Sequence, residues 1–170
     1  DINETLECWQ IALKSKNTPS VIALSRQKVS YINPKNSKEN KCENGAYVVK
    51  ITSHESNVTL VASGTEVELA LKVQERLNEN NIHSKVVSMP CMELFDRQSE
   101  DFRNNIIEPN SLIVTLEAGS VISWHKYIKD KGMNLGIDQF GESAPYKEVY
   151  NHFDLSEEKI TNFIQKKLRE

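Results

Sequence analysis

The chain has 170 residues and a formal net charge of −3 at neutral pH. This length accommodates one α/β domain with a proper core, or one domain and a fragment of another. The acidic balance and the scattered lysines leave no basic field for nucleic acid or an anionic membrane surface, so we expect neither as a partner. No apolar run approaches the roughly 18 residues of a membrane span, and the amino terminus lacks a signal-peptide hydrophobic region, which favours a cytoplasmic location.

The first segment predicts a helix followed by a strand. Asn3 is the expected helix cap, and the expected inward face comprises Leu6, Trp9 and Leu13. A chain that starts on a helix cap without a methionine suggests a fragment. After Pro19, the apolar run at residues 21–24 predicts a buried strand, and its polar carboxyl end is Ser25-Arg26-Gln27.

Residues 33–44 contain almost no apolar residue and many turn formers. They are therefore the predicted linker and the best candidate for a domain boundary. Residues 45–52 alternate loosely between apolar and polar and predict an edge strand. Everything after the linker is expected to form one compact unit.

The stretch at residues 57–71 predicts half of a βαβ unit. Residues 58–62 form an apolar run that is too short for a free-standing helix, and it ends at Ser63-Gly64 before a helical pattern begins. Thr65 and Glu68 fit a capping box for that helix. Its expected inward face comprises Val67, Ala70, Leu71 and Leu77.

The rest of the chain repeats this alternation of strand and helix. Further strands are predicted at residues 85–88, 112–116 and 135–137. Helices are predicted at residues 99–107, from Val121 past Trp124 and Ile128 to Gly132, and from Ser143 and Pro145 through Tyr146, Val149, Tyr150 and Phe153. The last helix has Ser156 as its cap, a hydrophobic staple of Leu155 and Ile160, and an inward face completed by Phe163, Ile164 and Leu168. This alternation predicts a parallel, doubly wound sheet with helices on both faces.

Few residues are candidates for chemistry. Gly64 lies between a buried strand and a helix amino terminus, where α/β proteins bind phosphate; because no GxGxxG or GxxxxGK[ST] motif is present, we interpret it as serving chain geometry. Glu117 follows the most hydrophobic strand, where such sheets expose functional groups, or it caps the next turn. His125 is a candidate proton shuttle or a surface histidine.

The remaining histidines and the cysteines do not predict a metal site. His54, His83 and His152 have no near companions of metal-ligand type. The three cysteines are far apart in sequence and match neither CxxC nor any metal-ligand spacing, so they are predicted to be reduced packing residues: Cys8, Cys42 and Cys91. The residues alone indicate an α/β domain without an evident active site.

A series of short strings adds a family resemblance. In order they are TPSVIALSRQ (18–27), GAYV (45–48), ASGTEV (62–67), VVSMP (86–90), EAG (117–119), WHKY (124–127), GID (136–138) and FGESAP (140–145). Together they resemble the carboxyl-terminal part of transketolase, and the resemblance spans nearly the whole chain. It implies a three-layer α/β/α fold, in which a mostly parallel, doubly wound sheet has an antiparallel edge strand.

The resemblance also implies a division of labour. Residues 1–32 would be the end of the pyrimidine-binding domain, residues 33–44 a linker, and residues 45–170 the carboxyl-terminal domain. The complete enzyme would act in the pentose phosphate pathway as a homodimer, transferring a two-carbon ketol unit between sugar phosphates with thiamine diphosphate and a divalent metal, Mg²⁺ or Ca²⁺. The family's cofactor-binding and catalytic residues would lie upstream of Asp1, so we expect neither cofactor nor activity in this chain alone.

Arg26, in the family's Ser-Arg-Gln string, is implied to bind the phosphate of the sugar substrate. A guanidinium at the carboxyl end of a strand offers a planar fork to phosphate oxygens, and the alternative role is a structural ion pair across the domain junction. Lys28-Val29 departs from the family's more usual asparagine-leucine.

Two other functions stay open at this stage. One is a stand-alone module that binds a phosphate or a nucleotide at the Gly64 turn. The other is the carboxyl-terminal domain of a thiamine-dependent dehydrogenase beta subunit, which the strings at residues 25–27 and 140–145 disfavour.

Overall fold

A computed structural model describes residues 1–32, 39–53, 55–128 and 132–170. The strands are β1 (Tyr47–Ile51), β2 (Val58–Ala62), β3 (Ser84–Ser88), β4 (Leu112–Leu116) and β5 (Met133–Leu135). The α-helices are α1 (Ile2–Lys14), α2 (Glu66–Glu79), α3 (Met92–Asp96), α4 (Glu100–Ile106), α5 (Tyr146–His152) and α6 (Glu157–Lys167). Two 3₁₀ helices cover Lys41–Asn44 and Ile122–Tyr127.

The strands form one sheet in the order β1-β3-β2-β4-β5. β1 runs antiparallel to β3, and the other neighbours are parallel. Ala62 lies beside both Ser88 and Leu116, so the carboxyl ends of β2, β3 and β4 meet at one edge of the sheet. These pairings confirm the mostly parallel, doubly wound sheet with an antiparallel edge strand.

The core lies on both faces of the sheet, which makes three layers. Successive residues of a strand point to opposite faces, and β2 shows this at Leu60 and Val61, which are fully buried in different clusters. The Leu60 cluster includes side chains of α2 and α6, whereas the Val61 cluster includes Phe95 of α3 and Trp124 of the second 3₁₀ helix. Strands buried on both faces explain why β2 and β4 are continuous apolar runs in the sequence.

The later elements match their predictions with small differences. β4 has the predicted bounds, α6 has its Ser156 cap, and β5 begins two residues before the predicted strand. The helix predicted to end at Gly132 is a 3₁₀ helix that ends at Tyr127. Phe163 and Leu168, predicted to point inward from α6, are partly exposed, at 39% and 40%.

The predicted capping box of α2 is wrong. Thr65 is the N-cap residue but already has helical φ and ψ of −64° and −28°, and its side chain accepts no amide hydrogen bond. Its hydroxyl instead donates to the Glu66 carboxylate at 2.6 Å. Glu68 forms an ion pair with Lys72 at 3.0 Å and accepts the Ser30 amide at 3.2 Å. The capping box does not form because the Thr65 hydroxyl is hydrogen-bonded to the buried Glu66 carboxylate at the first helical position.

The predictions for the first segment also need correction. The cap of α1 is Asp1, which accepts the Glu4 amide at 3.0 Å, and not Asn3. The predicted inward face is exposed, with Leu6 at 59%, Trp9 at 49% and Leu13 at 78%. Residues 21–24 form no strand, and Val21 is 95% exposed. Within the described residues no strand pairs with this apolar run, so its backbone has no ladder to join.

The end of the predicted linker is ordered. Residues 33–38 lie outside the described residues, whereas Lys41–Asn44 forms a 3₁₀ helix with Cys42 buried. Asn40 caps this helix through the Cys42 amide, at 3.0 Å, and its side-chain amide donates to the Glu7 carbonyl of α1 at 2.9 Å. The end of the linker is thus packed on α1.

Candidate functional site

Two carboxylates lie at the carboxyl edge of the parallel strands. Glu66 is the first residue of α2 and only 5% exposed. It accepts hydrogen bonds from the hydroxyls of Thr65 and Tyr150, so α5 is joined to the amino terminus of α2. A carboxylate is favourable at this end of a helix because it faces the positive end of the dipole. Glu66 is therefore held by its own neighbours.

Glu117 follows β4 at the same edge. Its carboxylate accepts the Trp124 indole N–H at 3.0 Å. Burial raises the pKa of Glu117, the Trp124 hydrogen bond opposes this change, and the negative charge of Glu66 adds to it. Burial and the hydrogen bond to Glu66 likewise raise the pKa of Tyr150, so its phenol remains a donor well above neutral pH. This edge is consequently acidic, with its carboxylates already hydrogen-bonded.

The Gly64 turn does not offer the features of a phosphate site. Gly64 is exposed and has a φ of +55°, a backbone conformation that glycine adopts without strain. The amides of Glu66 and Val67 donate to the carbonyls of Ser63 and Gly64, at 3.2 and 3.3 Å. Because these two amides donate within the turn, they are not available to bind an anion. The adjacent Glu66 carboxylate would also repel an anion. These observations fit the interpretation that Gly64 is present for the backbone conformation that this turn requires.

The three described histidines lie at the surface. His125 is exposed, and its ring Nδ1 lies 3.2 Å from the Asn134 side-chain amide. His83 and His152 are also exposed, and His54 lies outside the described residues. In the described part of the chain, no group of three or more histidine, cysteine or acidic side chains could hold a metal ion. Over the same residues, no helix has both the length and the apolar character needed to cross a membrane.

The three cysteines lie in different surroundings. Cys8 is half-buried on α1, and Cys42 is buried in the first 3₁₀ helix, where its thiol donates to the Glu4 carbonyl of α1 at 3.9 Å. Cys91 is half-buried at the start of α3.

Arg26 lies at a bend in an exposed segment that has neither helix nor strand structure. The bend around it is fixed in part by the Ser25 hydroxyl, which donates to the Gln27 carbonyl at 3.2 Å. Among the described residues, Arg26 has neither an ion pair nor a hydrogen-bond partner for its guanidinium. The guanidinium is thus free to meet an anion supplied from outside this chain.

Comparison with known proteins gives the family. Residues 45–156 match the family model of the transketolase-like C-terminal domain. The transketolase of Aquifex aeolicus is 36% identical over 169 residues, covering 98% of this chain and 24% of the relative. That of Bacillus subtilis is 37% identical over 169 residues, covering 97% and 25%. The chain thus spans about a quarter of the length of the curated relatives it matches.

Solved structures agree with the sequence matches. Campylobacter jejuni transketolase is 36% identical with a TM-score of 0.85, covering 96% of this chain and 24% of that one. Pichia stipitis transketolase in complex with sedoheptulose 7-phosphate is 28% identical with a TM-score of 0.90, covering 99% and 24%. The chain therefore belongs to the transketolase family and carries the carboxyl-terminal domain of those enzymes.

Proposed function

We propose that the chain is the carboxyl-terminal segment of a transketolase whose complete form transfers a two-carbon ketol unit between sugar phosphates. The observation that carries this proposal is the similarity to a transketolase over 98% of the chain, which extends beyond residues 45–156 into α1 and the Arg26 segment. The complete enzyme would act as a cytoplasmic homodimer in the pentose phosphate pathway.

Thiamine diphosphate and a divalent metal would be bound by the rest of the enzyme. A diphosphate with its metal needs oxygen ligands that converge on the cation. The acidic side chains of the described residues do not converge in this way, and the Glu66 and Glu117 carboxylates are held by neighbouring donors. The described residues therefore do not form a site that fits the cofactor and its metal.

The proposed domains are residues 1–32, the end of the pyrimidine-binding domain, then the linker at 33–44 and the carboxyl-terminal domain at 45–170. Exposed apolar side chains on the first segment support this division: Ile2, Leu6, Trp9, Leu13, Val21 and Leu24. On α1 these side chains recur at helical spacing and give the helix an exposed apolar face, which is typical of an interaction surface. Its proposed partner is the upstream part of the same polypeptide.

The chain's main role would be structural, and Glu4 shows how it would be performed. Glu4 is the buried residue of α1, and its carboxylate accepts hydrogen bonds from Tyr47 of β1, at 3.0 Å, and from Ser88 of β3. A helix assigned to one domain is thereby fixed to the sheet of the next. This contact would hold the carboxyl-terminal domain in place beside the pyrimidine-binding domain.

Arg26 is proposed to be the substrate-binding residue, pairing with the phosphate of the sugar. Its exposure and the absence of a partner among the described residues support this role. The stand-alone module that binds phosphate or nucleotide at Gly64 is disfavoured, because the Glu66 and Val67 amides donate to carbonyls of the turn and the Glu66 carboxylate lies beside it.

The test uses the complete reading frame and the chain alone. The complete protein, with thiamine diphosphate and magnesium, is expected to transfer a two-carbon unit from fructose 6-phosphate or sedoheptulose 7-phosphate to an aldose phosphate. Calorimetric titration of the 170-residue chain with the same cofactor and magnesium is expected to give no saturable heat. Tight binding by the chain alone would overturn the proposed division of labour, and an inactive complete protein would overturn the activity.

A further inference from the structure

A cleft with a volume of about 260 Å³ lies between α4 and the second 3₁₀ helix. Its floor consists of buried apolar side chains, none more than 8% exposed: Phe95, Ile107 and Ile113. Its rim carries polar side chains: Asp96, Arg103, Asn104, Lys126 and Tyr127. The cleft therefore combines an apolar base with charged groups at its opening.

The groups at the rim are held in place by one another. The Tyr127 ring packs edge-on against Phe95, with the ring centroids 5.8 Å apart. The Tyr127 hydroxyl donates to the Asp96 carboxylate at 2.8 Å, and Lys126 forms an ion pair with the same carboxylate. Arg103 donates from one guanidinium nitrogen to the Asp96 carbonyl at 2.8 Å. A site whose side chains are already ordered loses little conformational entropy when a ligand binds.

The charges at the rim leave one cation without an anionic partner. The negative charge of Asp96 is paired with Lys126 and hydrogen-bonded to Tyr127. Arg103 uses one nitrogen for a neutral carbonyl, and within the described residues no carboxylate forms an ion pair with its guanidinium. A guanidinium has five N–H donors in a planar fork. Most of the Arg103 donors are therefore available to an anion from solution.

We propose that this cleft binds a small monocarboxylate with a flat apolar body about the size of a benzene ring. The carboxylate would pair with the Arg103 fork, and the ring would cover the apolar floor beside Tyr127. An apolar cavity of about 150 Å³ is large enough for benzene. The cleft consequently has room for the ring together with its carboxylate.

The same features disfavour other classes of ligand. A sugar would place hydroxyls against the apolar floor without hydrogen-bond partners. An organic cation would meet Arg103 and Lys126, and the Asp96 carboxylate that could attract it is already paired. Because the cleft is open to solvent and the ligand is small, we expect a dissociation constant of about 1 to 10 mM.

The experiment is a titration of the isotope-labelled 170-residue chain with sodium benzoate at constant ionic strength, followed through amide chemical shifts by NMR. We expect saturable shifts at the amides of Arg103, Ile113 and Tyr127. Benzyl alcohol has the ring without the charge, benzylamine has the opposite charge, and acetate lacks the ring, so all three should bind more weakly than benzoate. The absence of saturable shifts, shifts centred on another surface, or equal affinity for benzoate and benzyl alcohol would overturn the proposal.

Three variants test the contact with Arg103. Arg103→Gln should weaken benzoate binding by about ten-fold or more and leave benzyl alcohol binding unchanged, because only the charge-assisted pairing is lost. Arg103→Lys should be intermediate, because lysine keeps the charge without the fork.

Arg97→Gln is the matched control. Arg97 is an exposed arginine at the end of α3 that does not line the cleft, so this variant should bind benzoate as the parent chain does. Circular dichroism confirms that each variant is folded. Equal losses for Arg97→Gln and Arg103→Gln, or no loss for Arg103→Gln, would contradict the proposed contact.

Discussion

At the residue scale, Arg26 is the position where the proposed substrate contact can be separated from a structural one. If its guanidinium pairs with the distal phosphate in the complete enzyme, Arg26→Ala removes a contact made about equally in the ground and transition states. KM should then rise more than kcat falls. Losing the charge-assisted bonds would cost about 1.5 to 3 kcal/mol, or about 10-fold to 150-fold in kcat/KM.

The controls for Arg26→Ala are two further variants, at Arg26 and at Lys28, and a donor sugar without a phosphate. Arg26→Lys should restore only part of the affinity because lysine keeps the charge without the planar fork. Lys28→Ala removes a nearby exposed cation and should have a much smaller effect. Equal losses with phosphorylated and unphosphorylated donors, or a fall in thermal stability alone, would show that Arg26 is a structural residue.

The raised pKa of Glu117 predicts that the thermal stability of the chain depends on pH. Burial raises the pKa of this carboxyl in the folded chain, so folding disfavours its charged form. Its contribution is fully present below the pKa of the unfolded chain, about 4.3, and is lost as the pH rises through the folded value. Glu117→Gln should therefore raise the Tm at pH 7 and change it less near pH 4, while Gln still accepts the Trp124 N–H. Thermal unfolding at both pH values measures this difference, and a lower Tm at pH 7 would contradict it.

Residue roles were the least predictable feature of the sequence. Thr65 and Glu68 have the spacing of a capping box, yet the Thr65 hydroxyl donates to the buried Glu66 carboxylate. No local sequence pattern predicts that Glu66 is buried. The position of Glu117 at the sheet edge was predictable, because the carboxyl ends of parallel strands share one edge. This rule needs only the order of the strands and helices.

At the scale of elements, β2 and β4 were predicted together with their burial, whereas α1 was predicted as a helix but with the wrong cap and the wrong buried face. Their apolar runs are buried on both faces by neighbours within this chain, so the local pattern and the tertiary structure agree. The apolar face of α1 and the run at residues 21–24 carry equally strong patterns. Their partners are not among the described residues, and the face of α1 that is buried is the one that carries Glu4.

This contrast between helices gives a stability prediction. In the 170-residue chain, Leu13→Gln should change the free energy of unfolding by no more than about 0.5 kcal/mol, because Leu13 is 78% exposed. Ile160→Ala in α6 should lower it by about 2 to 5 kcal/mol, because Ile160 is fully buried against the sheet. Urea unfolding measures both. Similar losses for the two variants would mean that the apolar face of α1 is covered in the chain itself.

The same pair of variants separates the chain from the complete enzyme. If the upstream domain covers α1, Leu13→Gln should destabilise the complete protein by more than it destabilises the chain. The effect of Ile160→Ala should be similar in both contexts, since its neighbours in α2 and the sheet are present in both. Identical small effects of Leu13→Gln in both proteins would argue against the proposed domain contact.

At the scale of the whole molecule, stability should be graded along the chain. β4 lies inside the sheet, between β2 and β5, and all its residues are buried, so its amides should exchange with solvent only through global unfolding. Residues 21–24 have no strand partner in the described structure and should exchange fastest. α1 should be intermediate, because among the described residues it contacts the sheet through Glu4 and packs on the 3₁₀ helix Lys41–Asn44.

Removing residues 1–44 tests whether the carboxyl-terminal unit is autonomous. Residues 45–170 contain the sheet and both core clusters, so we expect them to unfold cooperatively on their own. Their stability should be lower than that of the full chain, because Tyr47 and Ser88 lose the Glu4 carboxylate. Native-state hydrogen exchange on both proteins, followed residue by residue, compares them directly. If residues 21–24 exchanged more slowly than β4 in the full chain, or if residues 45–170 failed to fold, the sheet would not be the independent unit that its topology indicates.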